Sequence, residues 1–154
     1  MPTVPHNISE DNLNAKLLEV KNKSKDNFFY FCRWVLRLDR GEGRFPFSKF
    51  HHELCDFISN EQVRFKLILV PRGHYKTTIS DAYIIWRLCR NQNDTSLIVS
   101  ATTDQAKQFM RNITWQFTEN EMFRTLFPEV LPDWLKPTLD KKTKNKVKRE
   151  DDET

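Results

Sequence analysis

The sequence predicts an α/β chain in which helices at the amino end precede a β-α-β-α unit of a parallel sheet. Three observations predict it. The nearly unbroken apolar run Leu67-Ile68-Leu69-Val70 reads as a strand covered on both faces, as parallel sheets require. A short loop and a segment with apolar residues at helical spacing follow it. A second run, Ser96 to Ala101, comes back after a four-residue turn and leads into a capped helix, which completes the layout of a right-handed crossover.

Taken in order, residues 1–8 carry two prolines and no periodicity and read as a loose arm. Ser9 caps a helix over about residues 10–22, with Leu13, Leu17, Leu18 and Val20 as its apolar side. Ser24 starts a second helix. Phe28, Phe31, Cys32, Val35 and Leu36 lie on one face of it, with Phe29, Tyr30 and Trp34 spread around, so it packs between neighbours. Gly41-Glu42-Gly43 ends it and Pro46 delays the next start. Ser48 caps a third helix with Phe50, Leu54, Phe57 and Ile58 as its stripe. The first strand is placed at about 64–70. The helix of roughly 77–90 turns Ile79, Ala82, Tyr83, Trp86 and Cys89 to one face. After the turn Asn91 to Asp94 and the second strand, Thr102-Thr103-Asp104-Gln105 forms a capping box for a helix over about 103–118. A short helix from Asn120 to Leu126 stops before Pro128. From Lys136 to Thr154, seven basic and five acidic residues accompany only Leu139 and Val147 as large apolar groups. Such a segment cannot bury enough surface to offset its ordering entropy. The organisation is therefore 1–47 arm and helices, 48–131 core, and 132–154 charged, disordered tail.

At 154 residues, 38% of them hydrophobic and 30% charged, the chain is long enough for one domain with a core. No apolar run reaches the roughly 20 residues that span a bilayer, and a basic-then-apolar leader is not seen, so neither a membrane protein nor a secreted one is expected. Cys32, Cys55 and Cys89 are odd in number, widely spaced and set in apolar helical patterns, which predicts buried thiols in a reducing compartment and not a disulfide framework or zinc site. A net charge of +4 permits a nucleic-acid partner without requiring one, because the lysines are scattered and nearly balanced by acids. The aromatic load, twelve phenylalanines and four tryptophans, sits mostly at helical spacing and belongs to core packing.

The candidate site is Lys66-Leu67-Ile68-Leu69-Val70-Pro71-Arg72-Gly73-His74-Tyr75-Lys76-Thr77-Thr78. An apolar run ends at a proline, passes through a glycine-containing loop and delivers a lysine and two threonines to a helix start. Backbone N–H groups of a tight loop and of a new helix form a concave nest for phosphate oxygens. Lys76 adds a cation for β/γ-phosphates and the Thr77 hydroxyl a Mg²⁺ ligand. This places the segment in a partial P-loop NTPase domain binding ATP and Mg²⁺. Against G-x-x-x-x-G-K-[ST], Val70 and Tyr75 stand at the two glycine positions, so the Lys-Thr end carries the match. The bland alternative is a turn with a solvated lysine. His51 and His52 are adjacent, point in different directions and cannot form the i, i+4 pair of a helical zinc site.

Pro71-Arg72-Gly73-His74-Tyr75-Lys76-Thr77 resembles the deviant Walker A of tailed-bacteriophage terminase large subunits, in which an arginine opens the loop. Phe50-His51-His52-Glu53-Leu54-Cys55-Asp56-Phe57 is similar to that family's upstream helix beside the nucleotide base, and Leu97-Ile98-Val99-Ser100-Ala101-Thr102-Thr103-Asp104-Gln105-Ala106 to the unit after its P-loop. Phe123-Arg124-Thr125-Leu126-Phe127-Pro128-Glu129 resembles its next block, so the similarity covers about residues 28–130. The resemblance implies an ATPase that drives double-stranded DNA through a portal protein into a capsid in the host cytoplasm, with a small terminase subunit and a carboxyl-terminal ATPase and nuclease portion as partners. It implies Arg72 and Lys76 as catalytic, Gly73, His74, Tyr75, Thr77 and Thr78 as nucleotide contacts, and His51 at the adenine.

A complete motor of this class also needs a strand ending in a carboxylate that holds Mg²⁺. Glu150-Asp151-Asp152-Glu153 follows Lys146-Val147-Lys148-Arg149 instead of a strand and reads as a solvated charge run. The expectation is thus the ATP-binding half of a packaging motor, inactive alone. The competing expectations are a helicase-like ATPase fragment and an inactive P-loop-like binding or regulatory protein.

Overall fold

The computed structural model describes residues 10–40 and 44–136. Within them lie α1 (Glu10–Asp26), α2 (Phe28–Tyr30) running into a π-helical stretch (Phe31–Val35), α3 (Lys49–Ser59), α4 (Lys76–Arg90), α5 (Thr103–Thr118), α6 (Glu121–Leu126) and two 3₁₀ turns, Pro128–Val130 and Asp133–Leu135. The arm 1–8, the glycine turn 41–43 and most of the charged tail lie outside the described residues.

The predicted parallel sheet is not formed: among the described residues there is no strand, and the fold is helical. The two segments expected as strands run singly, without a ladder. Their exposure alternates with the period of two that a strand would have. Phe65, Leu67, Leu69, Leu97 and Val99 are each at least 80% exposed, while Ile68 and Ile98 pack against the helical core. The continuous apolar run signalled a demand for cover on both faces, and the described residues meet it on one.

The helices themselves follow the periodicity. Burial gathers Phe28, Phe31, Cys32, Val35, Leu54, Cys55, Ile79, Ile85, Trp86, Ile113 and Phe123 into a single cluster. Phe31, Phe123 and Phe127 are fully buried and meet edge-on or stacked at 5.7–6.4 Å between centroids. All three cysteines are buried free thiols.

One boundary moves. Ser24 does not open a helix but is buried within α1, where its hydroxyl donates to the Lys21 carbonyl at 2.8 Å and its own carbonyl accepts the Trp86 indole N–H at 2.8 Å. The cap belongs to Asn27, whose side chain accepts the Tyr30 N–H at 2.7 Å. A mid-helix serine is tolerated because its hydroxyl bonds back along its own helix. The π-helical stretch ends with Arg37 in the left-handed region at φ 53° and the Leu38 N–H on the Cys32 carbonyl at 3.1 Å. That closure resembles a Schellman motif lengthened by one residue, as the wider π turn requires. Asn120 joins α5, α6 and this turn: it accepts the Phe123 N–H and donates to Gln116 Oε1 at 2.7 Å and to the Val35 carbonyl at 3.3 Å.

Candidate functional site

The loop predicted to hold phosphate leads directly into α4. Gly73 has φ 86°, a left-handed conformation in which an L side chain is strained. Tyr75 is the residue before the first helical position and is also left-handed, at φ 54°, ψ 14°. The tyrosine standing at the motif's glycine position thus adopts the conformation that a glycine there would supply. A bulky residue in this region costs on the order of 1–3 kcal/mol and persists only where its surroundings hold it.

Those surroundings are specific. The Tyr75 hydroxyl accepts the Phe45 N–H at 2.7 Å and donates to the Phe45 carbonyl at 3.1 Å. Its ring meets Phe47 and His51 edge-on, both at 5.5 Å.

The start of α4 has the form of an anion site. It has no side-chain cap and no acidic residue in its first turn, and its first intrahelical bond is the Ile79 N–H to the Tyr75 carbonyl at 2.8 Å. The N–H groups of Lys76, Thr77 and Thr78 are therefore left without intrahelical acceptors at the positive end of the helix dipole. Arg72, Gly73 and His74 are exposed and Lys76 is half-buried. Among the described residues neither Arg72 nor Lys76 is paired with a carboxylate. The His74 Nδ1–H donates to the Arg72 carbonyl at 3.2 Å. Loop and helix start line a cleft of about 510 Å³ with Arg44 and Phe45.

A second cleft, about 580 Å³, shares the loop residues Val70 to Tyr75 and is walled by Phe45, Pro46, Phe50 and His51. His51 is the third residue of α3 and is only 8% exposed. Its ring stacks on Phe47 at 5.0 Å and 15° and meets Phe50 edge-on. Nδ1 accepts the Ser48 backbone N–H at 2.9 Å. A backbone N–H can only donate, so Nδ1 is the unprotonated nitrogen and the neutral ring carries its proton on Nε2. That Nε2–H is buried and has no partner among the described residues. Burial first, and the neighbouring His74 second, hold the His51 pKa below the ordinary histidine value. A buried donor left unpaired costs about 1–3 kcal/mol, which is why such a group is uncommon unless something else accepts from it.

His52, by contrast, is exposed and pairs with Asp56 at 3.0 Å, one turn along α3. Thr77 and Thr78 both line the loop cleft, Thr77 exposed at its mouth. Thr78 also borders a separate cavity of about 240 Å³ between α4 and α5 together with Arg44, Asp81, Asn112 and Gln116. Asp81 escaped the sequence reading because one aspartate on an amphipathic helix looks like part of a solvated face. It is buried, accepts from Asn112 Nδ2 at 3.4 Å, and desolvation raises its pKa to about 6.

No group of three or more His, Cys, Asp or Glu able to hold a metal occurs among the described residues. The protein's own offer to a Mg²⁺ ion at this loop is the Thr77 hydroxyl. Magnesium commonly takes one or two protein oxygens and fills the rest of its shell with phosphate oxygens and water, so the loop fits such an ion when it arrives with a triphosphate. No helix among the described residues is long and apolar enough to cross a membrane. No protein-family model, no curated protein and no solved structure matches this chain.

Proposed function

We propose that this chain is the ATP-binding part of a DNA-packaging motor of the terminase large-subunit type, working with a carboxyl-terminal ATPase and nuclease portion. The observation that carries the reading is the junction of two features at one cleft. An uncapped helix start with Lys76, preceded in the loop by Arg72, has no acidic partner among the described residues, and an aromatic wall that includes His51 stands on the other side of the same loop. The first suits a triphosphate and the second the face of a base.

In this reading Lys76 and the free N–H groups of α4 hold β/γ-phosphate oxygens. Gly73, His74, Tyr75 and Thr78 shape the loop that surrounds them, and His51 faces the base. Magnesium, bound with ATP and held in part by Thr77, supplies neutralisation of phosphate charge. Arg72 is exposed and can bring a two-pronged guanidinium to the γ-phosphate as charge develops there. Double-stranded DNA, a portal protein and a small subunit are the partners of a motor of this class, acting in the host cytoplasm at the procapsid portal.

The exposed side chains of Phe65, Leu67, Leu69, Leu97 and Val99 support the same reading, since large apolar faces of this kind mark missing protein contacts. By itself the chain binds nucleotide without sustained turnover, because no carboxylate among the described residues stands at the loop to complete the Mg²⁺ and water shell.

The test is equilibrium binding of a fluorescent ATP analogue with Mg²⁺. Saturable binding that Lys76→Ala reduces at least tenfold is the expected result. Equal binding by both proteins, or by neither, removes the phosphate-loop assignment.

A further inference from the structure

We propose that Tyr75 is a positioning residue that locks the base side of the cleft to the phosphate loop, so that the site takes a nucleoside triphosphate as one unit in preference to an inorganic polyphosphate. The inference rests on the nucleotide reading above and adds to it a role for the residue that departs from the phosphate-loop pattern.

Residues 44–48 form the wall between the turn after α2 and the start of α3, and they have no regular structure of their own. Two attachments hold its first residues. Arg44 donates to the Leu38 carbonyl at 2.8 Å, and Phe45 is gripped through both its backbone groups by one phenol, that of Tyr75, thirty residues away. The phenol uses its donor and an acceptor lone pair on the same residue, which fixes both distance and direction. Beyond Phe45 the wall continues into Phe47, stacked on His51, and into Ser48, whose N–H fixes the His51 tautomer. The Tyr75 ring meets both Phe47 and His51 edge-on at 5.5 Å. The sheltered Nε2–H of His51 is thus placed relative to the loop by the same side chain whose backbone forms the loop's last residue.

The left-handed φ of Tyr75 belongs to this arrangement. A glycine would supply the same backbone without strain, but it could not reach Phe45. A strained residue retained where an unstrained one would fit the backbone points to work done by its side chain. Here the side chain couples the two ends of the ligand. With the strut in place, a nucleotide that seats its phosphates at α4 meets the wall of Phe45, Pro46 and Phe50, with His51 behind it, already in position. Without it, the phosphates bind and the base contributes little.

The experiment compares Mg²⁺-ATP with Mg²⁺-tripolyphosphate, which offers the phosphate chain and no base, by calorimetry on the full chain. Tyr75→Phe keeps the ring and removes both hydrogen bonds to Phe45. Tyr75→Gly removes the ring and relieves the strain. Wild type is expected to prefer ATP. In Tyr75→Phe, ATP affinity falls about tenfold, the scale of one or two hydrogen bonds, while tripolyphosphate affinity stays within about twofold. Tyr75→Gly also loses the preference and binds tripolyphosphate at least as well as wild type. His51→Phe, which removes the acceptor of the Ser48 N–H and keeps an aromatic ring, loses the same preference.

Circular dichroism and thermal unfolding establish that each variant is folded. A parallel loss of both ligands in folded Tyr75→Phe makes Tyr75 a support of the loop alone and overturns the proposal. Unchanged ATP preference in that variant overturns it equally. Failure of wild type to bind either ligand overturns the nucleotide reading together with this one, and that outcome is distinct from a wild type that binds both without preference, which overturns only the coupling.

Discussion

Replacing Asp81 with asparagine should stabilise the protein at neutral pH and leave it unchanged near pH 3. Asp81 lies on α4, one turn beyond Thr77, and its carboxyl faces the cavity between α4 and α5. Its one hydrogen bond, from Asn112 at 3.4 Å, is too long to compensate for the water it loses, so desolvation dominates and raises its pKa from 3.8 to about 6. A folded-state pKa above the unfolded value means that folding favours the protonated acid. The cost of Asp81 is therefore absent below the unfolded pKa, grows as pH rises through about 6, and is complete above it.

Two pKa units correspond to roughly 3 kcal/mol at about 1.36 kcal/mol per unit. Solvent screening discounts part of that, which leaves about 1–2 kcal/mol. Asparagine has the shape of the protonated acid and never ionises. Thermal unfolding followed by far-ultraviolet circular dichroism should give Asp81→Asn a Tm about 3–6 °C above wild type near pH 7.5, at the usual few degrees per kcal/mol for a chain of this size, and no difference near pH 3. The reasoning fails if the gain is the same at both pH values. It also fails if the variant is less stable near pH 7.5, because Asp81 would then be making a charge-dependent contact, with the Arg44 guanidinium as the nearest candidate in that cavity.

Phe123→Ala empties the centre of the Phe31, Phe123 and Phe127 group, where all three rings are fully buried, and should cost about 3–5 kcal/mol by denaturant unfolding. The His51 pKa lies below its unfolded value, so the neutral ring is the folded form; stability should be full above the ordinary histidine pKa and fall as pH drops from it through the depressed value, a fall that His51→Phe abolishes in a pH series of Tm. Leu67→Lys with Leu97→Lys replaces two of the most exposed apolar side chains and should lower self-association in sedimentation velocity without lowering Tm, since neither side chain is buried. In a complete motor carrying this segment, Arg72→Ala should reduce kcat strongly with a modest change in nucleotide Kd; a loss of affinity with kcat intact contradicts a transition-state contact.

The helices were legible in the sequence because each carries its own evidence. The predicted 103–118 helix is α5, and Ser48, Thr102 and Asn120 stand at the starts where they were placed. A helix closes its hydrogen bonds within one segment, so local spacing and caps suffice to specify it. A strand does not. The runs at 64–70 and 96–101 have the composition of sheet strands, but a ladder needs a partner, and whether one is present is a non-local fact. Composition alone marked the two segments as seeking cover; only the tertiary structure decided that they stand unpaired among helices.

The site divides along the same line. The loop, its lysine and its threonines were singled out from order alone, since the pattern that marks them is made by consecutive residues. What joins Tyr75 to Phe45 across thirty positions, leaves His51 Nε2 sheltered and unpartnered, and turns Asp81 into a buried acid depends on which segments the core brings together. A sequence records which groups can donate, accept or ionise. The packing alone fixes which of them are removed from water and what they then meet.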